Sequence, residues 1–365
     1  DVEALPRGIQ LWRSITQWVG GIGIILVAVA VLPSIKTGGM KLFRSEFSEW
    51  SQLETGRISQ IAIYIVSFYL FISLACFLAY CYFGMPWFDS LNHTMATVST
   101  GGFSTWNTSF GHYSSSHLQF VSSIFMLLGA CPFLGIVMTI TNRNLRLLRD
   151  SQVQHLLLMT LGSAALISLW RYITNDEADG IAIIESSFFN IVSIATTTGF
   201  ASEDYGLWGS FPVMVMCFLM FSGGASGSTS GGIKLFRYHL LYIFMRENLR
   251  TALHPGVTLS RQYNQRPIGN DVLVAALAFF FFVIVSLCVS SLLLAASGLD
   301  PVTSITGALS ALMNVGPGFG DLIGPVGNYS QVPTFSKYVL GVDMLLGRLE
   351  YLTLVIIFTR EYWEW

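Results

Sequence analysis

Ser99-Thr100-Gly101-Gly102-Phe103 is a polar, glycine-rich stretch that the chain writes twice more, as Thr196-Thr197-Thr198-Gly199-Phe200 and Asn314-Val315-Gly316-Pro317-Gly318-Phe319. Each copy follows a segment with room for only about three to four helical turns, too short to cross a bilayer, and precedes a full-length apolar segment. A fixed unit repeated along a chain decides the architecture before any single element does. A short helix that ends in Thr/Gly backbone at membrane depth cannot face lipid, because its amide and carbonyl groups would go unsatisfied. It has to line a hole filled with water or ions. Carbonyl oxygens aimed at a central axis can replace the hydration shell of a monovalent cation.

The composition agrees. The chain is 53% hydrophobic, 14% aromatic and only 11% charged, whereas soluble domains carry roughly 25% charged residues. A formal net charge of -2 offers no basic footprint for a nucleic acid. Cys76, Cys81, Cys131, Cys217 and Cys288 lie inside apolar runs without metal-type spacing and read as small hydrophobes. His93 reads as a packed hydrogen-bonding group rather than a ligand. The chain opens on Asp1 with neither a methionine nor a signal sequence.

Taken in order, Leu11 to Leu32 is a first spanning helix, closed by Pro33, and the basic stretch from Lys36 to Arg57 belongs on the cytoplasmic side. Ile58 to Phe83 runs outward, Asp89 is placed to cap a short helix, and Leu118 to Thr141 returns to Arg143, Arg146 and Arg149. The cycle recurs with Leu156 to Thr174, a short helix from about Ile183 to Ala195, and a return from Phe211 interrupted by Ser222-Gly223-Gly224-Ala225-Ser226-Gly227-Ser228-Thr229-Ser230-Gly231-Gly232. It recurs again with Val272 to Ala296, a short helix opened by Asp300-Pro301, and Tyr338 to Thr359. Eleven of the nineteen Lys and Arg fall in the loops placed inside, so the orientation is self-consistent. The Gly102-to-Gly199 period taken back from Gly102 lands near Asp1, and a fourth copy is expected immediately upstream.

The expected fold is therefore an all-α polytopic membrane protein with pseudo-fourfold repeats of helix, re-entrant short helix with filter loop, and helix around a central pore. Residues 1–35 are the inner helix of an incomplete first repeat, 36–150 the second repeat, 151–250 the third with a broken inner helix, and 251–365 the fourth. Short-helix carboxyl ends carry about half a negative charge each, and several converging on one axis favour a cation.

These stretches, with Gln17-Trp18-Val19-Gly20-Gly21-Ile22-Gly23-Ile24-Ile25 and Leu346-Gly347-Arg348-Leu349-Glu350, resemble the Trk/Ktr/HKT superfamily of potassium transporters, most like its bacterial TrkH/TrkG branch. The resemblance covers nearly the whole chain. It implies passage of potassium, with rubidium following and some members passing sodium, in a bacterial inner (plasma) membrane, with no organic cofactor and no enzymatic activity. It places metal-ion contacts at Thr100, Gly101, Gly102, Thr197, Thr198, Gly199, Asn314, Val315, Gly316 and Gly318, with Gly102, Gly199 and Gly318 as the filter glycines. It also implies an intramembrane gate at Gly223, Gly224, Gly227, Ser228, Gly231 and Gly232, with Arg348 projecting beneath the filter. A homodimer and a cytosolic nucleotide-binding regulator of the TrkA type are further implications. Independently, an arginine at mid-helix depth should face the pore or pair with a carboxylate, Asp343 and Glu350 being near in sequence.

Two other classes remain open at this stage. Gly224-Ala225-Ser226-Gly227 matches the G-x-S-G of rhomboid-type intramembrane serine proteases, although His155 and His239 lie near cytoplasmic ends. A sodium-coupled solute transporter would use the broken helix as its substrate site, but a single break without an inverted partner leaves the three polar copies without a role.

Overall fold

The computed structural model describes residues 2–30, 58–113, 115–174, 179–254, 261–264, 266–349 and 360–363. Pro6 starts α1 (Arg7–Ala30), four residues earlier than the apolar run suggests. Long helices α2 (Ile58–Tyr82), α6 (Ser151–Thr174) and α10 (Asn270–Ala296) have 25, 24 and 27 residues, or about 36 to 40 Å at the helical rise. Each is followed by a short helix: α3 (Trp87–Val98), α7 (Gly180–Ala195) and α11 (Pro301–Met313), with 12, 16 and 13 residues. None of these short helices can cross the hydrocarbon layer, which needs about 20 residues.

The usual relation of apolarity to burial is inverted. Phe71, Leu74 and Leu78 on α2, Leu158, Leu161 and Leu169 on α6, and Phe281, Ile284 and Leu292 on α10 face outward. The short helices are packed inside, polar side chains included: Asn92, His93 and Thr97 on α3, Asn190 and Ser193 on α7, Thr306 and Ser310 on α11. Lipid solvates the long helices, while the centre is reserved for groups that need hydrogen bonds. Cys76 and Cys131 are buried, Cys81 and Cys217 half-buried and Cys288 exposed, all with free thiols.

The return segments are α4 (Ser116–Ala130) with α5 (Phe133–Thr141), α8 (Ser210–Phe221) with α9 (Leu235–Leu253), and α12 (Thr334–Arg348). The expected continuous helix from Leu118 to Thr141 is instead two helices bent by 93° at Cys131-Pro132. Pro132 supplies no N–H and cannot continue the ladder of α4. The break expected at Ser222 to Gly232 is present and separates α8 from α9. The return helix and the short helix of the following repeat pack together each time, as α1 on α3, α4 on α7 and α8 on α11. Between α9 and α10 a small antiparallel hairpin, Gln262–Tyr263 with Arg266–Pro267, departs from the all-helical expectation. The loop from Lys36 to Arg57 lies outside the described residues, and α13 (Arg360–Trp363) is the last described element.

Acidic residues mark the outer ends of all three short helices, by two different means. Asp179 accepts from the Ile181 amide at 3.1 Å and Asp300 from the Thr303 amide at 3.0 Å, the latter with Pro301 at the first helical position. Such caps are worth about 1 kcal/mol. Asp89, expected as a cap, is not one: Pro86 holds that position. The Asp89 carboxylate instead accepts from Thr105 Oγ1 at 2.8 Å, Trp106 Nε1 at 3.2 Å and Tyr113 Oη at 2.9 Å, tying the outer loop to α3. In every case negative charge sits at the amino end, and the carboxyl end points at the polar copy.

Candidate functional site

The three polar copies share one backbone. Past each short helix the amides of Thr100, Thr197 and Asn314 bond the oxygens of Thr97, Ile194 and Ala311 at 3.0, 2.9 and 3.1 Å. The next amides, of Gly101, Thr198 and Val315, reach back five residues to Ala96, Ser193 and Ser310 at 2.7, 2.8 and 2.9 Å. This closing turn satisfies carbonyls that a helix end otherwise leaves open. It needs a left-handed residue, and Thr100, Thr197 and Asn314 take φ of 49°, 57° and 56°. Two residues on, φ is again positive, at 73° for Gly102, 83° for Gly199 and 111° for Gly316.

That register corrects the expectation at the third copy. Gly316, rather than Gly318, is the counterpart of Gly102 and Gly199. Gly318 has turned away from the strand, its amide bonded to Ile323 O at 2.8 Å. The copies are also neighbours. A Cβ on Gly102 would lie 2.0 Å from Thr198 O, and one on Gly199 would lie 2.0 Å from Val315 O. Only hydrogen fits at either place. Gly316 faces open space on the corresponding side. The strands therefore form an arc in chain order, with main-chain oxygens of each against the next. Among the described residues no three His, Cys, Asp or Glu side chains form a group that could hold a metal ion, and the oxygens brought to this point are those of the backbone and of hydroxyls.

Beneath the arc lies the segment from Ser222 to Lys234. Gly231 N donates to Thr197 Oγ1 at 2.6 Å and Gly232 N to Met313 O at 2.8 Å. Thr229 Oγ1 lies 3.1 Å from Val98 O, 3.0 Å from Gly129 O and 3.2 Å from Thr100 Oγ1. One loop thus touches the ends of all three short helices. Three further backbone bonds join it to the other break: Ala225 N donates to Ala130 O at 2.9 Å, Thr229 N to Gly129 O at 3.1 Å, and Phe133 N to Gly227 O at 3.0 Å. Gln152 Oε1 takes the Ser226 amide at 2.8 Å. An unsatisfied backbone group in hydrocarbon costs several kcal/mol, and two broken helices that pair with each other avoid that cost jointly. Gly223 and Gly231 pass so closely that a Cβ on Gly223 would lie 2.2 Å from Gly231 O.

Arg348, at the end of α12, donates from Nη1 to Thr229 O at 3.1 Å. The arginine anticipated beneath the polar strands is therefore in contact with the loop. Asp343 turns to another helix and accepts from Ser290 Oγ at 2.6 Å, and Glu350 lies outside the described residues. Close packing fixes α12 here: a Cβ on Gly347 would lie 1.8 Å from Leu312 O. His93 is fully buried, with Nδ1 2.9 Å from Asp89 O and Nε2 3.0 Å from Ser104 Oγ, a packing role as expected.

Three contacts escaped the sequence reading: Gln17 Nε2 on Gly101 O at 2.6 Å, Tyr329 Oη on Gly316 O at 2.7 Å, and the Cys131-Pro132 break. Only the last left a signal, a proline inside an apolar run.

A family model described as TrkH, cation transport protein, matches residues 1–364. The chain belongs to the TrkH family. The Trk system potassium uptake protein TrkI of Halomonas elongata is 40% identical over 364 residues, covering 100% of this chain and 74% of that protein. TrkH of Salmonella typhimurium is 32% identical over 369 residues, covering 100% and 75%. The crystal structure of the potassium transporter TrkH from Vibrio parahaemolyticus superimposes with a TM-score of 0.88 at 29% identity, covering 99% of this chain and 74% of that one. This TrkH-family chain is a helical membrane transport protein, and its relatives are transporters rather than enzymes. The protease alternative fails locally as well. Ser226 Oγ is buried without a hydrogen-bond partner among the described residues, while His155 and His239 bond each other at 3.0 Å. The geometry also changes the argument about a solute site, since the second break expected to be missing is present and is paired with the first.

Proposed function

We propose that this chain is a potassium uptake protein, an ion-conducting subunit that passes K+, and with it Rb+, down the electrochemical gradient. The observation that carries the reading is the shared register of the three polar strands, each ending a buried short helix and each set against the next. Oxygens of Thr100 to Gly102, Thr197 to Gly199 and Asn314 to Gly316 would stand in for the ion's water, with the helix carboxyl ends favouring positive charge. Gly318 supports the third strand from outside it. Family membership and the printed potassium uptake names of the relatives support the choice of ion.

The loop from Ser222 to Lys234 would be the gate, with Gly223, Gly224, Gly227, Ser228, Gly231 and Gly232 giving it freedom to move and Arg348 adding a positive charge on the ion's path. The division into units 1–35, 36–150, 151–250 and 251–365 fits the recurring contact between a return helix and the next short helix. A bacterial inner membrane, a homodimer and a separate cytosolic regulator of the TrkA type complete the proposal, supported by the family resemblance. The test is rubidium uptake into liposomes carrying the purified protein, driven by a potassium gradient. Uptake without any organic solute is expected. Uptake that required an organic solute would overturn the reading.

A further inference from the structure

One face of α1 runs along the first polar strand over three successive helical turns. Arg13 stacks over the Phe103 ring with 4.5 Å from its guanidinium carbon to the ring centre. Gln17 donates from Nε2 to Gly101 O at 2.6 Å. Gly21 packs so tightly that a Cβ would lie 2.7 Å from Ser99 Cβ. The spacing of four residues places all three on one helix stripe, and they meet the strand in order, Phe103, Gly101, Ser99. The Gln17 amide is oriented by this contact, since its Oε1 is buried with no donor among the described residues. The opposite orientation would set two oxygens against each other.

The third strand carries a similar latch from a different source. Tyr329, in the turn before α12, donates to Gly316 O at 2.7 Å. The second strand has none: Thr198 O and Gly199 O accept from no side chain among the described residues. Within Thr100 to Gly102 and Asn314 to Gly316 one carbonyl is engaged by a side-chain donor, whereas Thr197 to Gly199 has none so engaged among the described residues, the nearest such bond on that strand being Ser193 Oγ to Phe200 O at 2.7 Å.

We infer that Gln17 and Tyr329 are positioning residues that set ion preference by engaging the Gly101 and Gly316 carbonyls. The inference rests on the filter reading given above. A carbonyl that accepts a hydrogen bond is fixed in direction and offers a weaker field to an ion, and the number and field strength of such dipoles bear on discrimination between monovalent cations. Releasing it strengthens the field and favours the smaller ion. Gln17→Met removes the donor at similar length, and Tyr329→Phe removes a single oxygen. Each should raise the sodium-to-rubidium uptake ratio of liposomes carrying the protein by roughly two- to tenfold, the factor that one net hydrogen bond corresponds to. A role in packing alone would lower uptake of both ions together and leave the ratio in place. Unchanged ratios in variants that still take up rubidium would overturn the inference. Should Gln17→Met fail to accumulate, Tyr329→Phe decides alone, by the same criterion. Gly199→Ser separates the two layers of argument. If it abolishes rubidium uptake while the other two variants are silent, only the latches fall; if it leaves uptake intact, the filter reading falls.

Discussion

The polar strands and the loop beneath them are both irregular backbone at the centre of the molecule, and they satisfy that backbone in opposite ways. Each strand is held by its own short helix, through the same two bonds to residues three and five positions back. Besides a few bonds of its own, such as Gly223 N to Ile233 O and Gly224 N to Ser230 Oγ, the loop is held by distant parts of the chain: Val98 at the end of α3, Gly129 and Ala130 at the end of α4, Phe133 on α5, Gln152 on α6, Thr197 and Met313 at the ends of α7 and α11, and Arg348 on α12. Locally bonded structure keeps its shape when neighbours move, whereas a loop bonded to seven other elements reports on all of them. The strands are thus built to be constant and the loop to be conditional. Substitutions that leave a strand's backbone in place should change which ion passes, those that force the strand apart should stop passage, and substitutions in the loop should change how often any ion passes.

The largest effect expected is from Gly199→Ala, which sets a Cβ 2.0 Å from Val315 O at a φ of 83°. Strain of this kind alone costs about 1 to 3 kcal/mol, and the overlap adds to it, so rubidium uptake should fall by at least about tenfold. Gly316→Ala sharpens the point, because it carries the strain without the collision and should lose markedly less. Next in size is Arg348→Gln, which removes a charge-assisted bond to the loop worth roughly 1.5 to 3 kcal/mol. Basal uptake should rise up to about tenfold, without the change in ion preference expected of strand variants. Thr229→Val keeps the shape but removes the hydroxyl set among Val98 O, Gly129 O and Thr100 Oγ1. A change in uptake rate of about two- to fivefold is expected, the share of one neutral hydrogen bond. The smallest effect belongs to Ser226→Ala, whose hydroxyl has no hydrogen-bond partner among the described residues: uptake within about twofold of the parent, and no peptide cleavage by either protein.

Much of this contrast was legible in the residues. Apolar length separated the spanning helices from the short ones, and Asp300-Pro301 announced a helix start that the structure contains. The third strand was misaligned because Gly318-Phe319 reproduces the Gly-Phe pair of the other copies. The register is counted from the helix end through the Ser310 and Ala311 bonds, and Pro317-Gly318 is an addition beyond it. The bend at Cys131-Pro132 was signalled only by its proline, since the apolar run continues unbroken across it and nothing in hydrophobicity says where a ladder turns. The contacts of Arg13, Gln17 and Gly21 left no signal, because a spacing of four residues places side chains on one helix stripe without naming what that stripe faces. Ser222 to Gly232 read as a break on composition alone, whereas its partners depend on tertiary packing.

The central claim is that main-chain oxygens of Gly102, Gly199 and Gly316 and their neighbours gather around one ion. Anomalous scattering from crystals of the protein soaked in a rubidium salt tests it most directly. A rubidium peak on the inner side of the arc, within coordinating distance of oxygens from all three strands, is predicted. A peak elsewhere along the path, with side chains filling the space between the strands, would contradict it.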